Sequence, residues 1–338
     1  MRKSDGDSIT ILDVAERAGV SFKTVSRVIN GESQVRPATR EKVQAAIEAL
    51  GYRPNHNARN LRAKRTRRIV LLVANPSRNY LSELQWGAVQ RCQDEGCVLT
   101  VETFDADNRP SWLRKGDGSV SGVLLPPPLG DNAGLLDALR EADIPAVQIA
   151  AAAASRKFDG VLIDDREAAR AMTDHLIRQD HSRIGFIGNT DRLEQTRRRW
   201  DGFKVAMDEA GLAIDDTLVR DGAFTFESGR QAASALLDLA EPPTAIFASN
   251  DDMAAGVLAE TYHRRLRVPD DLAIAGYDDI PLATVLTPSL TTVHQPVEAM
   301  AAAAVDLLLA RWNTPDRERQ TVILPHELRI RESTTGRS

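Results

Sequence analysis

The sequence predicts a small all-α helix-turn-helix head followed by a larger α/β core of two subdomains. Three observations carry this. Apolar residues between Thr10 and Leu50 recur at helical spacing in three short segments, with a glycine corner between the first two. From Arg68 onward, continuous apolar runs alternate with helical stretches, the pattern of parallel strands buried on both faces. Charge is also divided unevenly. The first 68 residues hold 15 Lys and Arg against 7 Asp and Glu, a net of +8, while the remainder holds 28 against 41, a net of −13. A basic head on an acidic body points to a polyanion as the partner of the head alone.

Length and composition bound the rest. At 338 residues the chain exceeds one ordinary core, and 42% hydrophobic with 27% charged residues is a soluble globular balance. No stretch reaches the ~20 apolar residues of a membrane span. The run "AMAAAAVDLLLA" is short and contains Asp306. The opening "MRKSDGDS" has no apolar signal core, so a cytoplasmic location without membrane association is expected. Cys92 and Cys97 flank Gly96 in an apolar pattern with no second pair for a metal site, so they read as buried free thiols, and no metal or cofactor is expected.

In the head, Thr10 can cap a first helix, with Asp13 three residues on and Val14, Ala15 and Ala18 as its apolar stripe. Gly19 suits the left-handed position that ends a helix, and Ser21 can cap the next. In that second helix Val25, Val28 and Ile29 form the packing face, and Val20 can close the corner. At about 100° per residue, Phe22, Lys23, Ser26, Arg27 and Asn30 fall on another arc. A helix that only packs has no need of such a polar stripe. Pro37 opens a third helix with stripe Val43, Ala46, Ile47 and Leu50, and Gly51 ends it. Three short helices with a tight corner make a helix-turn-helix unit, whose second helix fits the major groove of B-DNA.

The stretch "TILDVAERAGVSFKTVSRVING" followed by "TREKVQAAIEALGYRPN" resembles the headpiece of LacI/GalR (lactose-repressor) family transcription regulators, nearly gapless from Thr10 to Lys64. The resemblance implies DNA contacts from Thr10, Ser21, Phe22, Lys23, Thr24, Ser26, Arg27, Asn30, Thr39, Asn55, Ala58 and Leu61. Phe22 and Lys23 occupy the variable base-reading positions; Lys23 suits guanine O6/N7 or a phosphate, and Phe22 a thymine methyl. In "RPNHNARNLRAKRTRR", Asn55 could cap one or two turns holding Ala58 and Leu61, too short to be stable alone. The resemblance makes this a hinge helix ordered on DNA, with Leu61 as a minor-groove wedge. Asn57 departs from the apolar residue common there.

The core contributes the runs "RIVLLVAN", "CVLTVETF", "GVLLPPP", "PAVQIA", "GVLID", "RIGFIGN", "PTAIFASND" and "DLAIAGYDD", too many strands for one unit. Such sheets bind ligands at the carboxyl ends of their strands, and a cleft between two subdomains is the natural place. Here too the chain resembles the family, and with it the periplasmic sugar-binding fold, through "RRRWDGF", "PTAIFASNDDMAAG", "LRVPDDLAIAGYDD" and "PSLTTVHQP". The implied organisation is a helix-turn-helix domain at 1–53, a hinge helix and linker at 54–68, and an effector-binding and dimerisation core at 69–338. Its N-subdomain would take 69–163 and 293–323, its C-subdomain 164–292 and 324–333, with crossovers near Ile163, Val293 and Leu324. The implied effector contacts are Tyr80, Arg199, Phe224, Asn250 and Asp278. Strand-end Asn and Asp also serve tight turns, which is the plainer reading of Asn250 and Asp278. Ala150 and Pro126 depart from polar positions, so effector identity does not transfer.

The resulting expectation is a non-enzymatic, sequence-specific DNA-binding regulator, a homodimeric repressor released from a palindromic operator by a small carbohydrate. The run Arg197–Arg199 leaves a purine or another anionic metabolite as the alternative effector, and an effector-independent DNA binder is more remote. The pairs Asp164-Asp165, Asp251-Asp252 and Asp278-Asp279 could suggest metal or acid–base chemistry. No His joins them in a ligand spacing, and no phosphate-cradling glycine motif appears. A transport binding protein would share the core but not the head. After Ser333 only "TTGRS" follows, without leucine heptads, so a dimer is expected. Exchanging Phe22 and Lys23 for another pair should change half-site preference by about 1–3 kcal/mol per base contact, whereas Arg27→Ala should weaken all sequences evenly. Gel-shift titration on a half-site library checks this; a uniform loss from the Phe22/Lys23 exchange would make those residues positioning rather than reading groups.

Overall fold

The computed structural model describes residues 11–29, 35–50, 67–107, 109–114, 117–151, 157–188 and 194–335. The chain separates into two compact units, Met1–Thr66 and Arg67–Ser338. Of the residues singled out above, Thr10, Asn30, Asn55, Asn57, Ala58 and Leu61 lie outside the described residues, and the hinge with them.

The first unit comprises α1 (Ile11–Ala18), α2 (Phe22–Ile29) and α3 (Pro37–Leu50). Val14, Ala15, Val25, Val28, Val43 and Ala46 are buried at its centre, with Ala18, Val20, Val35, Ile47 and Leu50 packed against them. The corner works because Gly19 adopts φ +64°, and the Val20 amide then donates to Ala15 O at 3.0 Å. Ser21 begins α2 by accepting from the Thr24 amide at 3.3 Å.

The second unit begins β1 (Arg68–Val73), α4 (Arg78–Asp94), β2 (Val98–Thr103), β3 (Gly122–Leu125), α5 (Ala133–Glu141), β4 (Ala146–Ile149) and β5 (Asp159–Leu162). It continues α6 (Asp165–Arg178), β6 (Ile184–Ile187), α7 (Glu194–Glu209), β7 (Val219–Arg220), α8 (Phe226–Leu237), β8 (Ala245–Ala248), α9 (Asp251–His263), β9 (Ala273–Asp278), α10 (Leu282–Val285) and β10 (Thr291–His294). It closes with α11 (Val297–Asn313), β11 (Thr321–Ile323), β12 (Glu327–Arg329) and α12 (Glu332–Thr335). One sheet runs β11-β5-β4-β3-β1-β2 and the other β12-β10-β9-β8-β6-β7. All pairs are parallel except β10–β12. The central strands β3, β4, β6, β8 and β9 are buried throughout, which is why they read as unbroken apolar runs. Edge strand β2 is only partly covered.

The chain crosses between sheets after β5, after β10 and between β11 and β12. The second crossover, expected near Val293, follows β10 at Gln295-Pro296; Val293 itself lies opposite Tyr277 and Leu328 in that strand. The β-branched Thr291, Thr292 and Val293 suit a strand held between β9 and β12. Of the two thiols Cys92 is buried and Cys97 only half-buried, and burial pushes the Cys92 thiol up to about 12. No helix among the described residues is long and apolar enough to cross a membrane.

Gly202 sets the approach of α7 to α6. A Cβ there would lie 2.1 Å from Arg166 O and 2.9 Å from the Arg170 amide. One turn earlier α7 carries Arg199, and the neighbouring Trp200 stacks on Phe203 with ring centroids 5.2 Å apart. Gly202→Ala should therefore cost about 1–3 kcal/mol through overpacking. Thermal unfolding followed by circular dichroism checks it, and an unchanged midpoint would mean that the two helices separate freely.

Candidate DNA-reading surface and effector cleft

In the first unit Phe22, Lys23 and Arg27 are exposed on α2, away from buried Val25 and Val28. Phe22 keeps 40% of its surface open at the start of the helix. Ser26 and Thr39 are half-buried. The Ser21 and Thr24 hydroxyls lie 3.0 Å apart, so both serve the cap as well as facing outward.

The second unit brings its candidate residues together at the carboxyl ends of the two sheets. Arg199 is 4% exposed. Its Nε donates to Asp165 Oδ1 at 2.9 Å, its Nη1 donates to Ser249 O at 2.5 Å, and Asp278 Oδ1 lies 3.8 Å from the same Nη1. Its guanidinium carbon sits 3.6 Å over the ring of Tyr277, whose hydroxyl also donates to Asp165 Oδ1, at 2.8 Å. Burial alone would lower the basicity of Arg199, but Asp165, Tyr277 and Asp278 together raise it. Asp165 opens α6 beside its cap Asp164, where the helix N-terminus also favours negative charge.

Asp278 ends β9 at φ 113°, followed by Asp279 at φ 58°. Its Oδ1 accepts from Gln295 Nε2 at 2.5 Å. Burial pushes its carboxyl up to about 7, against the opposing pull of Arg199 and Gln295. Asn250 is fully buried and caps α9, accepting from the Met253 amide at 3.0 Å while its Nδ2 donates to Phe224 O at 3.4 Å. Its side chain is thus largely spent on the turn and on holding Phe224 at φ 59°. Tyr80, near the start of α4, is buried, and burial together with the nearby Asp278 carboxylate raises its hydroxyl.

Several residues here were not singled out as effector contacts in the sequence. Asp165 and Tyr277 hold Arg199; Thr196 and Ser249 both border Gly188 at the end of β6. The Tyr80 hydroxyl, Thr196 Oγ1, Ser249 Oγ and Gln295 Oε1 are buried and have no hydrogen-bond partner among the described residues. The three aspartate pairs are engaged with donors. Asp251 takes Thr292 Oγ1 at 2.6 Å and the Ile280 amide at 3.0 Å, and Asp279 takes Arg331 at 2.6 Å and His294 at 3.0 Å. Asp252 accepts from Ser77 Oγ and Asn79 Nδ2, each at 2.6 Å, and so ties the first sheet's β1–α4 turn to the second sheet's α9.

Asp278 has a pH signature. A carboxyl raised from 3.8 to about 7 leaves the folded chain with more bound protons than the unfolded chain across that window. The associated stability is complete below pH 3.8 and is lost as pH rises through about 7. Asp251, raised by burial and by Asp278, acts in the same sense. Asp278→Asn should therefore flatten part of the decline in melting temperature between pH 5 and 8. Parallel declines in calorimetric scans would place this titration elsewhere.

Comparison with known proteins adds the lineage. Residues 10–55 match "Bacterial regulatory proteins, lacI family", and residues 173–334 match "Periplasmic binding protein-like domain". The chain is 35% identical to catabolite control protein A of Priestia megaterium, over 97% of this chain and 99% of that protein. It is 34% identical to the HTH-type transcriptional repressor PurR of Photobacterium profundum, over 96% and 98%. Among solved structures, a complex of the transcriptional regulator CelR with cellobiose superposes with a TM-score of 0.71 at 32% identity, covering 96% of this chain and 100% of that one. With a head matching the family across its helix-turn-helix and relatives aligned end to end, the chain belongs to the LacI family of DNA-binding transcriptional regulators.

Proposed function

We propose that this regulator is a homodimeric repressor, released from a palindromic operator when a small neutral carbohydrate enters the cleft. In this reading residues 1–53 read the half-site, 54–68 form the hinge, and 69–338 bind the effector and the second subunit. Thr10, Ser21, Phe22, Lys23, Thr24, Ser26, Arg27, Asn30, Thr39, Asn55, Ala58 and Leu61 are the proposed DNA contacts. Tyr80, Arg199, Phe224, Asn250 and Asp278 are the proposed effector contacts, joined now by Thr196, Ser249 and Gln295. A two-fold protein reads a palindrome because its symmetry is mirrored in the operator. Closing the cleft displaces one subdomain against its dimer mate, so operator DNA must weaken effector binding by the same factor as the effector weakens DNA binding.

The observation that carries the neutral effector is the charge state around Arg199. Its guanidinium already lies against Asp165 and Asp278. An anionic ligand would meet both carboxylates, while a polyol offers donors to Asp278 and acceptors to the guanidinium and the Tyr80 hydroxyl. The purine or anionic alternative has support from PurR among the relatives. The arginine run that favoured it diverges, however. Arg197 is exposed and pairs with Glu194, and Arg198 lies 4.0 Å from Asp164, so of the three only Arg199 is buried in the cleft.

Calorimetry of the full chain against a sugar panel and a nucleotide panel tests the reading. A sugar should bind, and Asp278→Asn should lose about 1.5–3 kcal/mol, roughly 10- to 150-fold, while still binding operator. A ligand hydroxyl donates to the ionised carboxylate, so sugar affinity should rise with pH and level off above about 7. Binding confined to purines or phosphorylated compounds, unaffected by Asp278→Asn, would sink the carbohydrate assignment.

A further inference from the structure

Asp159 opens β5 and is 1% exposed. Three guanidinium groups converge on its Oδ2: Arg311 at 3.0 Å, Arg317 at 3.0 Å and Arg319 at 3.7 Å. Its Oδ1 accepts from the Gln320 amide at 2.8 Å. One buried carboxylate thus balances three cations and leaves an excess of two positive charges. Arg311 is fixed in place by Pro315 O at 2.8 Å, Glu318 O at 3.3 Å and Arg317 O.

Above Arg311 and Arg319 lies a recess of about 540 Å³. It opens at the amino ends of β1, β3, β4 and β5, the edge opposite the effector cleft. Arg67, Arg140 and Lys157 add three more cations to its lining, and Asp143 is the one carboxylate there. Arg140 also pairs at the surface with Asp137 at 3.1 Å. Arg67 stacks over Trp312 at 4.6 Å, and Trp312 is anchored by donation to Ser121 O at 2.8 Å. The floor is apolar, built from Leu139, Ile144, Pro145 and Phe158.

We propose that this recess is a second ligand site, for a small metabolite carrying a phosphate or diphosphate group. Five lining cations against Asp143, Asp137 and the buried Asp159 still make a positive hollow, although residues 69–338 carry a net charge of −13. A concave site with low-dielectric walls concentrates such a field. Guanidinium forks match phosphate oxygens in pairs, and the apolar floor receives the carbon skeleton of the ester. Its volume falls in the range of small-molecule sites, roughly 300–1,000 Å³. A flat basic strip would serve a DNA backbone equally well, but a floored hollow favours the small ligand.

Inorganic pyrophosphate is the probe, titrated calorimetrically into the full chain at low salt. One binding event per chain is expected, and the double variant Arg140→Gln, Lys157→Gln should weaken it at least about tenfold, the scale of one lost charge-assisted hydrogen bond. Neither substitution removes one of the three arginines on Asp159, so the double variant should keep the parent melting temperature. Arg27→Ala in the head should leave the event intact. Pyrophosphate binding that survives the double variant, or that disappears with Arg27→Ala, would overturn the site. So would a double variant that binds pyrophosphate normally but loses affinity for duplex DNA, since the recess would then serve backbone phosphates. Sugar binding in the cleft is measured separately, so failure here leaves the carbohydrate reading untouched.

Discussion

A guanidinium taken out of water must be matched on every side, and the burial of Arg199 organises the second subdomain around that requirement. Asp165 at the start of α6, the Ser249 carbonyl after β8, the Tyr277 ring and Asp278 at the end of β9 each supply part of the match. Three separate segments are thereby held at one point. The arrangement reaches back into helix packing, because α7 can present Arg199 there only if Gly202 lets it close on α6. It also accounts for unusual backbone nearby. Phe224, Asp278 and Asp279 all have positive φ, a conformation costing on the order of 1–3 kcal/mol for such residues and tolerated where surrounding contacts over-determine it.

Much of this was legible before any coordinates. The stripes of α1, α2 and α3 were plain because a three-helix unit has a single core and each helix shows it one face. The core strands were plain because burial on both faces leaves no room for polar alternation. Arg199, Tyr80 and Asp278 stood out by resemblance, and the structure gathers them. Their supports were hidden for physical reasons. Tyr277 sits inside an apolar run and reads as core, while Asp165 sits in an Asp-Asp pair that the sequence offers only for metal or acid–base chemistry. The Ser77–Asp252 contact joins residues 175 positions apart, and no local pattern records such a pairing.

The cleft and the amino edge of the first sheet differ in chemistry. In the cleft, carboxylates and hydroxyls dominate and the buried guanidinium of Arg199 is matched by acids. At the amino edge the ratio is reversed, with Asp159 outnumbered by arginines. Parallel strands make this possible, since all their carboxyl ends meet at one edge and all their amino ends at the other. A single sheet can in this way face a neutral ligand at one edge and an anionic one at the other.

Asp252 has a consequence for how a ligand does work. Its two oxygens are shared between Ser77 and Asn79, so part of the closure between the subdomains is supplied by the chain's own hydrogen bonds. A ligand shifts a conformational balance only by its differential affinity for the two arrangements. Where the protein itself already favours one of them, less is subtracted from the intrinsic affinity as the cost of reaching it. In the proposed reading, with the effector binding the arrangement that holds this contact, a tighter grip of Asp252 on the β1–α4 turn lowers the effector concentration at which the regulator responds.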